Sequence, residues 1–222
     1  THFIGSFLVG SLLVLFLSFR YEEAAMRPNS NHKTSIFVMP TKGVLALVIF
    51  TLSAMMIEGA GIDWSVIFMR DVFETSAFIN GTALFLGALA QFIVRYFADT
   101  IIEQYGSEIV ARLSIVSMFV GLIIVCFTSK SYFALLGFFL MGAGNAVLFP
   151  LAVSAAAQKS DRSAAANVAS LAQLSFVVFL LGPPLLGFVA ENFGIRVSFA
   201  ICLPLLFLSW IFVFSLRQKD QS

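Results

Sequence analysis

Leu45-Ala46-Leu47-Val48-Ile49-Phe50-Thr51-Leu52-Ser53-Ala54-Met55-Met56-Ile57 and Ile115-Val116-Ser117-Met118-Phe119-Val120-Gly121-Leu122-Ile123-Ile124-Val125-Cys126-Phe127 are nearly continuous apolar runs. A strand of a membrane barrel alternates polar and apolar residues over about ten positions, and neither run does. A helix crossing a bilayer needs roughly 20 apolar residues, because about 30 Å of hydrocarbon is covered at about 1.5 Å per residue. Working outward from these two runs, seven segments qualify: 3–19, 43–62, 76–97, 109–128, 132–156, 165–190 and 195–216. Without water to receive unpaired amides, each is predicted to be helical. Of the 222 residues 59% are apolar and 11% are Asp, Glu, Lys or Arg. Soluble domains run at about 45–50% and about 25%, so a water-soluble globule is excluded. The reading is an all-α membrane protein, a polytopic bundle of seven transmembrane helices.

Charge orders the bundle. With the amino terminus outside, the inner connections hold Arg20, Arg27, Lys33, Lys42, Arg95, Arg112, Lys159, Arg162, Arg217 and Lys219, and the outer ones only Arg70, Lys130 and Arg196. This positive-inside bias predicts a periplasmic amino terminus and a cytoplasmic carboxy terminus. The net charge of +1 gives no reason to expect a nucleic-acid partner. Cys126 and Cys202 sit within separate apolar runs and read as small hydrophobes. The 3–19 run has no basic region before it and ends at Arg20 and Tyr21 without a small-residue cleavage pattern, so it reads as a span rather than a signal peptide. The polar stretch from Arg20 to Lys42, which includes His32, separates that one span from six. Six is the size of half a twelve-helix carrier. The expected organisation is therefore 1–20 as the last helix of a missing amino-terminal half, 21–42 as a cytoplasmic linker, 43–217 as a six-helix domain of two inverted three-helix repeats, and 218–222 as a tail.

Polar groups within spans are costly and mark pathways. The first, fourth and seventh spans carry no ionisable group between their ends. The second carries Glu58, the third Gln91 and Arg95, the fifth Asn145, and the sixth Asn167 and Gln173. Such a period of three is what an inverted pair of three-helix units produces. Glu58 lies in Met55-Met56-Ile57-Glu58-Gly59-Ala60-Gly61, where two glycines weaken the helix. Apolar surroundings disfavour a carboxylate's charged form, which suits Glu58 to loading and releasing a proton. The plainer reading puts it at the membrane boundary, paired with Arg70 or capping the next segment. Asp63 is expected to cap a short outer helix beginning near Trp64. Ala83 with Gly87 and Gly142 with Ala146 permit close helix contact. Asn145 reads as a cavity-facing donor and acceptor with Phe149 as a stacking wall, or as part of a tightly packed helix kinked at Pro150.

The stretch Arg95-Tyr96-Phe97-Ala98-Asp99-Thr100-Ile101-Ile102-Glu103-Gln104-Tyr105-Gly106, continuing to Arg112, resembles the inner loop between the eighth and ninth helices of the major facilitator superfamily. Gly182-Pro183-Pro184-Leu185-Leu186-Gly187-Phe188-Val189-Ala190-Glu191 resembles the family's eleventh helix and its outer exit, and Glu58 to Ser65 resembles the seventh helix of a bacterial sugar-transporter-like subgroup. The resemblance covers the chain from residue 3, as helices six to twelve. It implies a secondary carrier of the bacterial inner membrane working by alternating access. It also implies a cavity lined by Glu58, Gln91, Asn145, Phe149 and Gln173, with Met56 beside them. The loop implies an inner gate of Arg95, Asp99, Gly106 and Arg112, and Gly182, Pro183 and Gly187 form the outer helix motif. By spacing alone Arg95 and Asp99 can pair on one helix face. Thr100, Ser107 and Glu108 stand where the family has basic residues. The partners implied are a small-molecule solute, the lipid bilayer and the missing half.

Seven spans with an outside amino terminus also fit a heptahelical receptor, although 197–216 contains no lysine for a retinal Schiff base. An intramembrane enzyme would need groups the spans lack. Neither histidine lies in a span, there is no His-Glu-x-x-His pair, and Ser114, Ser117 and Ser175 have no histidine at their depth. No cofactor and no metal site are expected.

Overall fold

The computed structural model describes residues 38–217, which are helix and turn without strand. Thr41 starts the first helix by accepting from the Val44 amide at 3.3 Å. Helix α1, Lys42–Gly59, passes through a π-helical turn at Ala60–Trp64 into α2, Ser65–Phe73, forming one stretch of 32 residues. The expected stop at residue 62 is thereby corrected. Asp63 caps nothing: it sits inside the π turn, and the side chain at the α2 N-cap position, Trp64, makes no capping bond. The wider turn carries the backbone past both glycines, and burial of Phe68 and Met69 rewards continuing the helix.

Helix α3, Ala77–Tyr105, runs two turns beyond its expected end at 97, and Gly106, at φ +81°, turns the chain into α4, Ser107–Phe127. The next span is broken into α5, Ser131–Asn145, and α6, Leu148–Ala157. Helix α7, Ala164–Phe193, is capped by Ser163 and contains Pro183 and Pro184. The last span consists of α8, Ile195–Ala200, α9, Cys202–Ile211, and a 3₁₀ turn at Phe212–Leu216. Six stretches are thus long and apolar enough to cross a membrane. The expected 3–19 span lies outside the described residues.

Span lengths show the repeat. In order they are 32, 29 and 21 residues, then 27, 30 and 22. Each trio opens on an interrupted helix, at the π turn and at the α5–α6 break, and continues with the helix least buried within the chain, α3 or α7. A unit of three spans ends on the face opposite its start, so the second unit enters inverted. The fourth and seventh spans, which carry no ionisable group between their ends, are not the most exposed: α3 and α7 are, because they flank the bundle while α1 and α5 run through it.

The core joins the units through an aromatic cluster. Phe68 meets Phe199 and Phe138 edge-on at centroid distances of 5.1 and 5.7 Å, and Phe138 meets Phe199 at 5.7 Å. Where helices approach most closely, glycines face backbone. A Cβ at Gly142 would collide with the Gly87 carbonyl of α3, and one at Gly121 would lie 2.5 Å from the Gly137 carbonyl. Hydroxyls pair across helices in place of water: Ser53 with Ser209 at 2.6 Å and Thr51 with Ser175 at 2.9 Å.

Candidate functional site

Lengthening of the first described span moves its carboxylate. With the helix running from Lys42 to Phe73, Glu58 lies near its midpoint rather than near an end, immediately before the π turn. It is half-buried. Its Oε2 accepts a hydrogen bond from Gln91 Nε2 of α3 at 2.9 Å and another, short one from Asn145 Nδ2 of α5. Neither boundary alternative is realised. Arg70 pairs with Asp71 at 2.6 Å, and Glu58 binds neutral amides.

Each partner is placed for a local reason. Gln91 stands one turn after Gly87, where α3 touches Gly142 of α5 backbone to backbone. Asn145 is the last residue of α5 before the break. The cavity they share has a volume of about 140 Å³ and is walled by Ile57, Ile62, Leu84, Phe138 and Met141 beside bare stretches at Gly61, Gly87 and Gly142. Its polar groups are one carboxylate and two amides. Asn145 is 4% exposed, and its Oδ1 is buried without a protein partner. A buried acceptor without a partner is disfavoured, so this oxygen is open to a donor that enters. Chemically, the arrangement can exchange hydrogen bonds with a small polar group and press apolar walls against the rest of it.

The other predicted cavity residues lie elsewhere. Gln173 Oε1 accepts from the Val38 amide at 3.1 Å, ahead of α1. Ser175, two residues further along α7, bonds Thr51, which is seven residues and so about 10 Å along the helix before Glu58. Gln173 is therefore displaced toward the amino-terminal end of α1. Phe149 packs on Phe176 of α7 at 6.0 Å and does not line the cavity. Met56 is buried against Gly182. Asn167 also leaves the pathway, donating to the Lys159 carbonyl and to Asp161 Oδ1. Sequence spacing places residues along a helix but not around it relative to its neighbours, which is why Gln173, Phe149 and Met56 were grouped with Glu58.

The loop and outer motifs also resolve differently from their expected roles. Arg95 does not pair with Asp99; its Nε donates to the Ala146 carbonyl at 3.0 Å. The ion pairs among the described residues are Arg70 with Asp71 and Glu108 with Arg217. The Arg112 guanidinium lies 4.8 Å over the Trp210 ring. Gly182, Pro183 and Gly187 form a packing seam. Cβ atoms placed at Gly182 and Gly187 would come within 3.1 Å of Met56 and Trp64, and one at Gly59 would rest 3.6 Å from Pro183. One feature that sequence reading missed is the set of polar contacts joining the α6–α7 connection to the start of α1. Thr41 donates to Asp161 and holds its carboxyl below the ordinary range, and Arg162 donates to the Met39 carbonyl at 2.8 Å.

The family model described as Major Facilitator Superfamily matches residues 45–222. The chain is 29% identical over 193 residues to the uncharacterized transporter y4wD of Sinorhizobium fredii, covering 87% of this chain and 51% of that one. It is 28% identical over 178 residues to an uncharacterized MFS-type transporter of Yersinia pestis, covering 80% and 46%. It is 24% identical over 167 residues to membrane protein MosC of Rhizobium meliloti, covering 75% and 41%. The chain thus spans about half the length of these relatives, or less.

Proposed function

The chain belongs to the major facilitator superfamily, and on that footing we propose that it is the carboxy-terminal part, helices six to twelve, of a twelve-helix secondary carrier. In this reading it moves a small solute across a bacterial inner membrane by alternating access, with a proton carried on Glu58. The observation that carries the reading is the single cavity in which α1, α3 and α5 bring Glu58, Gln91 and Asn145 together. Three spans converging their few polar groups at mid-helix is an arrangement expensive to maintain in lipid without a use for it.

The cavity's one ionisable group and two amides favour a neutral or weakly charged solute, a sugar or drug-like compound, in keeping with the sugar-transporter-like resemblance of residues 58–65. The exposed flanks of α3 and α7 are the faces an amino-terminal half would cover. Family membership speaks for a transporter rather than an enzyme.

A thermal-shift screen of a solute library tests the site, since a ligand stabilises the state it binds by mass action. Solutes that raise the melting temperature of the wild-type chain are expected to lose that effect when both Gln91→Leu and Asn145→Leu are introduced. Shifts that persist in the double variant would place the solute elsewhere.

A further inference from the structure

We propose that Arg95 is a positioning residue for this site: its Nε–H replaces the amide hydrogen that Pro150 lacks, and so fixes the helix break from which Asn145 reaches Glu58. The inference rests on the reading of Glu58, Gln91 and Asn145 as the functional site.

In an unbroken helix the Ala146 carbonyl would accept from the amide of residue 150, and residue 150 is proline. The ladder resumes one residue later, where the Leu151 amide bonds the Val147 carbonyl at 2.9 Å. Ala146 is fully buried, so its carbonyl is left without water or helix partner at membrane depth. Arg95 supplies the donor at 3.0 Å. It stands one turn beyond Gln91 on the same face of α3, and Ala146 directly follows Asn145. Successive turns of α3 thus deliver one donor to the Glu58 carboxylate and the next to the carbonyl beside the second amide. That carbonyl belongs to the Ala146–Val147 peptide unit, one residue beyond Asn145, so holding it fixes the backbone at the break from which the asparagine side chain projects. The charged groups on the elements around Glu58 are Lys42 at the start of α1, Asp63 in the π turn, Arg70 and Asp71 further along α2, Arg95, Asp99 and Glu103 on α3, and Glu191 on α7; α5 carries no Asp, Glu, Lys, Arg or His.

The test uses two substitutions of nearly equal reach. Arg95→Gln puts an uncharged N–H the same number of bonds from the backbone as Nε, and Arg95→Met puts a methyl there. In the chain reconstituted into lipid nanodiscs, a hydrophobic carbodiimide, which reacts with protonated carboxyls, is applied across a pH series, and modification of the Glu58 peptide is read by mass spectrometry. Arg95→Gln should keep the wild-type midpoint. Arg95→Met should move it, since releasing the break loosens the Asn145 N–H donor from the carboxylate. Adding Pro150→Ala to Arg95→Met returns an amide hydrogen to Ala146 and should restore the midpoint. Equal shifts in the Gln and Met variants would mean that Arg95 acts by charge. No shift with Met, or no recovery with Pro150→Ala, would equally overturn the proposal.

Amide exchange over residues 144–152 gives a second readout, faster in Arg95→Met and recovered with Pro150→Ala, that does not depend on Glu58 chemistry. A Glu58 that never reacts would count against the proton-carrying reading while exchange still decides the role of Arg95. If Arg95→Met yields no folded protein, monodisperse recovery in the Arg95→Met/Pro150→Ala double supports the proposal, and its failure beside a folded Arg95→Gln contradicts it.

Discussion

A half-buried guanidinium must find acceptors, and Arg196 finds three. It donates to the carbonyls of Val125, Cys126 and Thr128 at 3.3, 2.7 and 2.6 Å, closing the carboxy-terminal end of α4, and lies over the rings of Phe68 and Phe73 at 5.8 and 5.7 Å. Charge-assisted bonds to buried carbonyls are among the stronger ones. Arg196→Ala is therefore expected to lower stability by about 2 kcal/mol or more in thermal or denaturant unfolding, with Arg196→Lys recovering part of it, because an ammonium cannot span three acceptors in one plane. At this scale the sequence was informative about kind but not about partner. Glu58, Gln91 and Asn145 were recognisable because a polar side chain inside an apolar run has few tolerable surroundings. That Glu58 meets Gln91 and Asn145, while Gln173 turns to Val38, depends on helix rotation, which composition does not carry.

Among elements, close approach of α3 and α5 sets the site's width. A Cβ at Gly142 meets backbone of Gly87, whereas nothing lies within 4 Å of one at Gly81 on the same α3. Gly142→Ala should destabilise by about 1–3 kcal/mol, as overpacking does, while Gly81→Ala should be neutral or mildly stabilising through helix propensity. Comparing the two melting temperatures checks the seam, and equal effects would contradict it. Span existence was legible in the sequence because about 20 consecutive apolar residues have few alternatives. Span ends were less so. Asp63 beside two glycines looks like a stop, yet the π turn and the burial of Phe68 and Met69 carry the helix to Phe73. The break at Asn145 was foreshadowed by Pro150, but its neighbour Arg95 was read as part of a loop that proves to be helix.

For the molecule as a whole, the proposed function assigns the two trios one wall of a pathway, so uptake into vesicles is expected only when an amino-terminal half is also present; transport by the purified chain alone would refute that. The connection between α6 and α7 adds a pH dependence. Asp161, held below its ordinary range chiefly by the Thr41 hydroxyl and also by Asn167, contributes stability above its unfolded value and loses it as pH falls through the lowered folded value. Between about pH 5 and pH 3 the wild type should lose more thermal stability than Asp161→Asn. A period of three was visible in the placement of polar residues, but the phase of the repeat was not, because burial depends on which helices flank the bundle. The proposed coupling of movement to protons through the mid-helix carboxylate is decided in proteoliposomes holding the complete carrier, by comparing gradient-driven accumulation with solute exchange in wild type and Glu58→Gln. Loss of accumulation with exchange preserved is the predicted result, and accumulation unchanged in Glu58→Gln would contradict it.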